Sequence, residues 1–286
     1  MAPRPAWKGY LKLSLVTCAV ELTNAITQSE KISFNILNRK TGNAVRRQYV
    51  DGTTGKPVDE KDEVKGYETG KDDFLLVEEE EIEAVQIESS HTLNLETFVK
   101  KEEIDPIYLD TPYYVTPADE VSAEAFAVIR MALEDKKMAG LARIVLWRRE
   151  RPVVVEPFDK GMLLTTLHYD KEVRRPEEIF DDIDVPKLDP QMVELAEKVV
   201  ESRKTEFDPK QFDDSYEAAL EALIRAKKSG RKVRKPSRDE TPERPSNVVN
   251  LFDALKKSLS SEEKPGKKAE APKKPARGKP RKKTSA

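Results

Sequence analysis

From Tyr10 to Tyr169 apolar residues alternate with polar ones, and a period of two allows few architectures. Leu11, Leu13 and Leu15 stand about Lys12 and Ser14, and Ile32, Phe34 and Ile36 stand about Ser33 and Asn35. Successive side chains of a strand face opposite ways, so such runs turn one face to a core and the other to water. Phe74 to Val77, Ile82 to Ile87, Thr92 to Val99, Ala142 to Trp147, Pro152 to Glu156 and Met162 to Tyr169 read the same way, between Gly, Pro and Asp turns. So many short strands predict a mainly β body, an antiparallel barrel or sandwich. One helix interrupts them. Val121, Ala125, Val128, Ile129, Ala132 and Leu133 recur at spacings of three and four, with Pro117 and Asp119 ahead and Gly140 behind.

After Pro186 the period becomes about 3.6. Met192, Leu195, Ala196, Val199 and Val200 make one helical face, and Tyr216, Leu220, Leu223 and Ile224 make a second that stops at Gly230. The chain therefore divides into a body, 1–186, and a small helical C-terminal subdomain, 187–232. Pro236, Pro242 and Pro245 mark a linker, 233–246. Asn247 then caps a short amphipathic helix, 247–260, with Val248, Leu251, Phe252, Leu255 and Leu259 on one side. The remainder, 261–286, is a basic tail.

Charge separates these parts. The whole chain is close to neutral at −2, yet the last 23 residues hold ten Lys or Arg against Glu270 alone, so they carry +9 and the preceding 263 carry −11. A basic run spaced by Pro, Gly and Ala buries no apolar surface, which predicts a disordered arm suited to a polyanion. Between Asp59 and Asp105 the balance reverses, with 17 acids against five bases. That stretch reads as a solvated face, or as a surface that keeps phosphates off the wrong side. One cysteine, Cys18, and two histidines, His91 and His168, leave no disulfide framework and no Cys/His zinc site within one chain. No apolar run is long enough for a membrane span, and no signal peptide is evident at the N-terminus. The expectation is a cytoplasmic, nucleoid-associated protein without metal or cofactor.

Catalytic patterns fail one by one. Gly52 to Lys56 and Gly66 to Lys71 approximate phosphate-cradling loops, but the first has too few residues between its glycines and Pro57 where a hydroxyl should bind magnesium. The second is one residue short and has Asp72 there, so both read as turns. Asp51-Gly52 is preceded by Tyr49 and Val50, without the amine that a nucleotidyl-transferring ligase needs. Asp51 with Glu63 and Lys65 resembles a metal-dependent nuclease site only loosely. His91 and His168 lie in strand-like segments and read as structural residues. A binding protein is predicted, not an enzyme.

Several phrases together resemble the prokaryotic Ku family, the DNA-end-binding proteins of bacterial non-homologous end joining. They are Trp7-Lys8-Gly9, Ile32-Ser33-Phe34, Val45-Arg46-Arg47-Gln48-Tyr49, Val64-Lys65-Gly66-Tyr67-Glu68, Ile104-Asp105-Pro106-Ile107-Tyr108 and Pro112-Tyr113-Tyr114-Val115. Arg149-Glu150-Arg151, Gly161-Met162, Glu172-Val173-Arg174, Met192-Val193-Glu194-Leu195-Ala196 and Phe207-Asp208-Pro209 follow in the family's order, so the likeness covers about residues 7 to 230. After the first strand, members often have a proline and a following aromatic, where this chain has Ala19 and Asn24 or Ala25.

The resemblance implies a Ku-type β-barrel with an extended bridging arm, about 38–74, that closes a ring in a homodimer and threads onto a duplex end. Arg39, Lys40, Arg46, Arg47, Lys56 and Lys65 on that arm would meet phosphates, which suits a protein indifferent to sequence. Arg143 and Arg149 join them; because alternate strand residues face opposite ways, only half of Arg143, Arg148, Arg149 and Arg151 can face inward. Trp147 reads as core, since a ring on duplex DNA meets no unstacked bases. The family's usual partner, the multifunctional end-joining ligase, would dock on Val248, Leu251, Phe252, Leu255 and Leu259, unless that stretch packs on its own subdomain. Lys267, Lys268, Lys273, Lys274, Arg277, Lys279, Arg281, Lys282 and Lys283 of the tail would add sequence-independent contacts. Two rivals stay open: an architectural protein that acts through its tail, and a metal-dependent nuclease.

Overall fold

A computed structural model of the chain describes residues 4–27, 31–71, 73–87, 91–230, 252 and 254–256. It forms two compact units, 1–182 and 183–286. In the first, eight strands make one mixed sheet: β1 (Trp7–Leu13), β2 (Val16–Asn24), β5 (Thr92–Asn94), β6 (Thr97–Lys100), β7 (Leu109–Pro117), β8 (Met138–Leu146), β9 (Arg149–Phe158) and β10 (Gly161–Leu167). Their order is β5-β1-β2-β7-β10-β9-β8-β6, and only the β1–β5 pair is parallel. β5 and β6 stand at opposite ends of that order, yet only Leu95 and Glu96 separate them in the chain. The sheet must therefore curl on itself, and β5 meets β8.

Alternation supplies the core. Leu11, Val20, Leu22, Val115, Val153, Val155 and Leu164 are buried on the inner face, against Phe126, Ile129 and Leu133 of helix α2 (Glu120–Lys136). The Asp119 carboxylate accepts the Ser122 N–H at 2.7 Å and caps the helix, and this bond holds the Asp119 carboxyl below its usual range. The Ser122 hydroxyl in turn accepts the Ala19 N–H at 3.0 Å, which fastens the helix start to β2. Gly140 does not end the helix. Lys137, at φ 54°, does so, and Gly140 lies within β8, where a Cβ would stand 3.0 Å from Leu95.

Four segments depart from the sequence expectations. Residues 32–36 alternate but form no strand; Phe34 and Ile36 are exposed, because among the described residues no strand pairs with them. Ile82 to Ile87 is not a strand, since a capping box between Glu78 and Glu81 starts helix α1 (Glu79–Ala84). Thr92 to Val99 splits into β5 and β6. Conversely β7, absent from the alternating runs, is a central strand despite Pro112 and Pro117. The ladder shifts register there, and the buried Thr166 hydroxyl accepts the Thr111 N–H at 3.0 Å.

Strands β3 (Lys65–Gly70) and β4 (Asp73–Val77) form a separate two-stranded sheet. The short helix α3 (Glu177–Phe180) completes the first unit. The second holds α4 (Pro190–Ser202) and α5 (Ser215–Lys228), capped by Asp189 and Asp214. Met192, Leu195, Ala196 and Val199 are half-buried as expected, whereas Val200 and Tyr216 are exposed. Gly230, at φ 70°, follows α5 where the periodicity stops. Phe252 and Leu255 are helical and half-buried, with the Lys256 ammonium 4.5 Å from the Phe252 ring centre. Val248, Leu251, Leu259, the linker 233–246 and the tail cations from Lys267 to Lys283 lie outside the described residues.

Candidate nucleic-acid interface

The segment expected to form the arm consists of three successive hairpin-like turns, and the first two share one local design. In Asn38–Asn43 the Asn38 N–H bonds to the Asn43 carbonyl at 2.8 Å, the Gly42 N–H to the Asn38 carbonyl at 2.8 Å, and the Lys40 N–H to the Asn38 side chain at 2.9 Å. In Asp51–Lys56 the Asp51 N–H bonds to the Lys56 carbonyl and the Gly55 N–H to the Asp51 carbonyl, both at 2.8 Å. The Asp51 carboxylate accepts the Thr54 and Thr53 N–H groups at 2.6 and 3.0 Å, bonds that lower its pKa. Gly42 and Gly55 both sit at positive φ, 74° and 66°, in the left-handed region that closes such loops without a steric penalty. Asp51 is thus engaged as a turn residue. Among the described residues, no group of three or more His, Cys, Asp or Glu could hold a metal ion.

These loops present Arg39, Lys40 and Lys56 to solvent, and Arg46 and Arg47 are exposed on the stretch between them. None of the five has a carboxylate within ion-pair distance among the described residues. Lys65 differs, since Glu79 of α1 holds its ammonium at 2.6 Å. The charge of the arm also changes sign along its length. Residues 39–58 hold five bases and one acid, whereas 59–74 hold three bases and seven acids. The positive charge of this segment is thus concentrated in residues 39–58.

Strand register separates the barrel arginines. Arg143 pairs across from Pro152, while Arg149 and Arg151 pair with Leu146 and Ile144, whose side chains are buried. Arg143 and Arg149 therefore stand on opposite faces of the sheet. Arg143 bonds to Glu150 at 2.8 Å, which raises its pKa further, and Arg151 lies 3.8 Å from Asp110. Arg148 meets Glu83 of α1 at 3.3 Å. His91 and His168 lie just outside strands. His91 Nδ1 is 3.1 Å from the Lys8 carbonyl, with its ring stacked on Trp7, and His168 is 3.6 Å from Glu172.

Trp147 corrects the sequence reading. Its side chain is 66% exposed, on the two-residue turn between β8 and β9. Trp147 and Arg148 both have positive φ, 50° and 65°, a geometry that Asn-Gly adopts most easily in a tight hairpin. Holding two L-residues with Cβ atoms there costs about 1–2 kcal/mol each. The alternation pattern could not reveal this turn, because Trp147 continues the apolar run of β8.

A curled mixed sheet with a helix over its inner face, extended by a basic two-loop arm, defines a β-barrel scaffold of the Ku70/Ku80 type. Residues 12–195 match the Ku70/Ku80 beta-barrel domain. The chain belongs to the Ku family. It is 47% identical over 283 residues to the non-homologous end joining protein Ku of Bradyrhizobium sp. (strain ORS 278), covering 99% of this chain and 96% of that protein. The protein of that name from Methylocella silvestris is 44% identical, over 91% of this chain and 96% of its own length. The one from Coxiella burnetii is 31% identical, over 94% and 98% respectively. Among the described residues, no helix is long and apolar enough to cross a membrane.

Proposed function

We propose that this chain binds double-stranded DNA ends without regard to sequence, as a ring-shaped homodimer acting in non-homologous end joining. The observation that carries this is the arm itself. Its basic loops and the stretch between them hold five cations without an ion pair among the described residues, while its β3–β4 hairpin leaves Tyr67, Phe74, Leu75 and Leu76 more than half exposed. A two-stranded hairpin is marginal alone in water, so such a surface needs cover. A second copy supplies it and closes the ring, with the loop cations left free for phosphates. Membership of the Ku family and the name borne by the relatives support the same role. The chain works as a scaffold without cofactor, in the cytoplasm on the nucleoid. It comprises a barrel core (1–186), a helical subdomain (187–232), a linker and a short amphipathic helix (247–260) that recruits the end-joining ligase. The tail from residue 261 adds affinity.

Solution mass tests the assembly. Phe74→Asp with Leu76→Asp should convert a dimer to a monomer and abolish end binding, with the barrel's secondary structure unchanged in circular dichroism. A wild-type protein that is monomeric both free and on DNA would overturn the ring.

A further inference from the structure

We propose that the β8–β9 turn, with the cavity beside it, is a stacking site for unpaired nucleotides at a DNA end. The proposal rests on the end-binding role above and adds a preference for overhangs. A cavity of about 770 Å³ opens between the turn, α1 and the start of β1, with Trp147, Arg148, Trp7, His91 and Glu83 among its lining residues. Its size falls within the range of small-ligand sites. Trp7 and His91 are stacked, with ring centres 6.2 Å apart, and Trp147 offers a second, solvent-facing indole. The buried Trp7 indole N–H has no hydrogen-bond acceptor among the described residues.

Fold stability does not explain the turn. Asn-Gly would form it without strain, and Trp147 is too exposed to contribute much to the core. Arg148 has a structural task, its ion pair with Glu83, whereas Trp147 has no comparable one among the described residues. Strained residues held in place by the surrounding structure mark sites of function. The ligand chemistry follows from what surrounds the indole. Arg148 lines the cavity beside Trp147, Arg149 follows it at the start of β9, and Glu83, paired with Arg148, is the only carboxylate among the cavity's described lining residues. Planar rings beside guanidinium groups suit a polyanion with exposed π faces, which is single-stranded nucleic acid. Bases within a duplex offer no free face, whereas those of an overhang do.

The test compares equal duplexes carrying blunt ends, four-nucleotide 5′ overhangs or four-nucleotide 3′ overhangs, and follows tryptophan emission while tetrathymidylate alone is added. Wild type should bind at least one overhang about 5- to 150-fold more tightly than the blunt end, the range of one base–aromatic stack. Tetrathymidylate should quench its emission. Trp147→Ala should lose both the preference and the quenching yet keep its blunt-end affinity, and Trp147→Phe should keep the preference. Equal wild-type affinity for all three ends, absence of quenching, or equal loss of blunt and overhang binding in Trp147→Ala would each overturn the site. In the first two cases the patch would fall to a protein partner instead. Quenching by tetrathymidylate in a protein that ignores duplex ends would keep the site and remove the end-binding role beneath it.

Discussion

Arg39→Gln with Lys40→Gln removes two cations from the first arm loop without removing its hydrogen bonds, which use the Asn38 side chain and backbone groups. Neither residue has a carboxylate partner among the described residues, so no ion pair described in the free protein is lost. If each cation meets one phosphate, a ring of two protomers loses four contacts, and the log–log dependence of affinity on salt flattens by about 3.6. From about 50 to 200 mM salt, the wild type's advantage over the variant should then shrink about 150-fold. Fluorescence anisotropy on a short blunt duplex measures the two slopes. Lys65→Gln should change the slope less, because the phosphate must displace Glu79 from Lys65. Truncation after Ser261 separates the tail's share. Parallel salt lines for wild type and the double variant would refute the assignment of phosphate contacts to this loop.

Two further expectations concern the scaffold. A Cβ at position 9 would lie 2.2 Å from the His91 carbonyl oxygen and 2.3 Å from the Trp7 ring, so Gly9→Ala should destabilise the first unit by about 1–3 kcal/mol or more in urea unfolding. Asp119 has a folded pKa below its unfolded value, so its cap stabilises above the ordinary carboxylate range, near pH 4, and is lost as pH falls through the folded value. The Tm gap between wild type and Asp119→Ala should narrow from pH 7 to about pH 3. A gap constant with pH would show that ionisation of Asp119 does not matter to the cap.

What was legible in the sequence depended on whether a local rule met a partner within the same chain. Alternation in β1, the Asp119 cap and the Gly230 stop all acted locally, and each is present. Residues 32–36 alternate just as well but lack a pairing strand among the described residues, so pattern alone misled. β7 failed the other way. Its prolines argued against a central strand, and only Thr166, 55 residues further along the chain, satisfies the Thr111 N–H at the bulge. Ala19 shows how a departure from the family pattern is absorbed: a proline there would have no N–H, whereas Ala19 donates one to Ser122. At the candidate interface the basic residue types were legible. Their inequality was not, since Lys65 and Arg143 are held by carboxylates while the five cations of residues 39–56 have no ion pair among the described residues. Trp147 escaped because a turn residue and a strand residue look alike at the end of an apolar run.

A closed ring can load only where a duplex ends, and this is the central claim in its most direct form. A mobility-shift titration should compare one linear duplex with the same DNA covalently circularised, both at physiological salt. The account expects retardation of the linear form at protein concentrations that leave the circle free, and expects linearising the circle to restore binding. Equal affinity for both would contradict it and leave the basic tail as the main DNA-binding element.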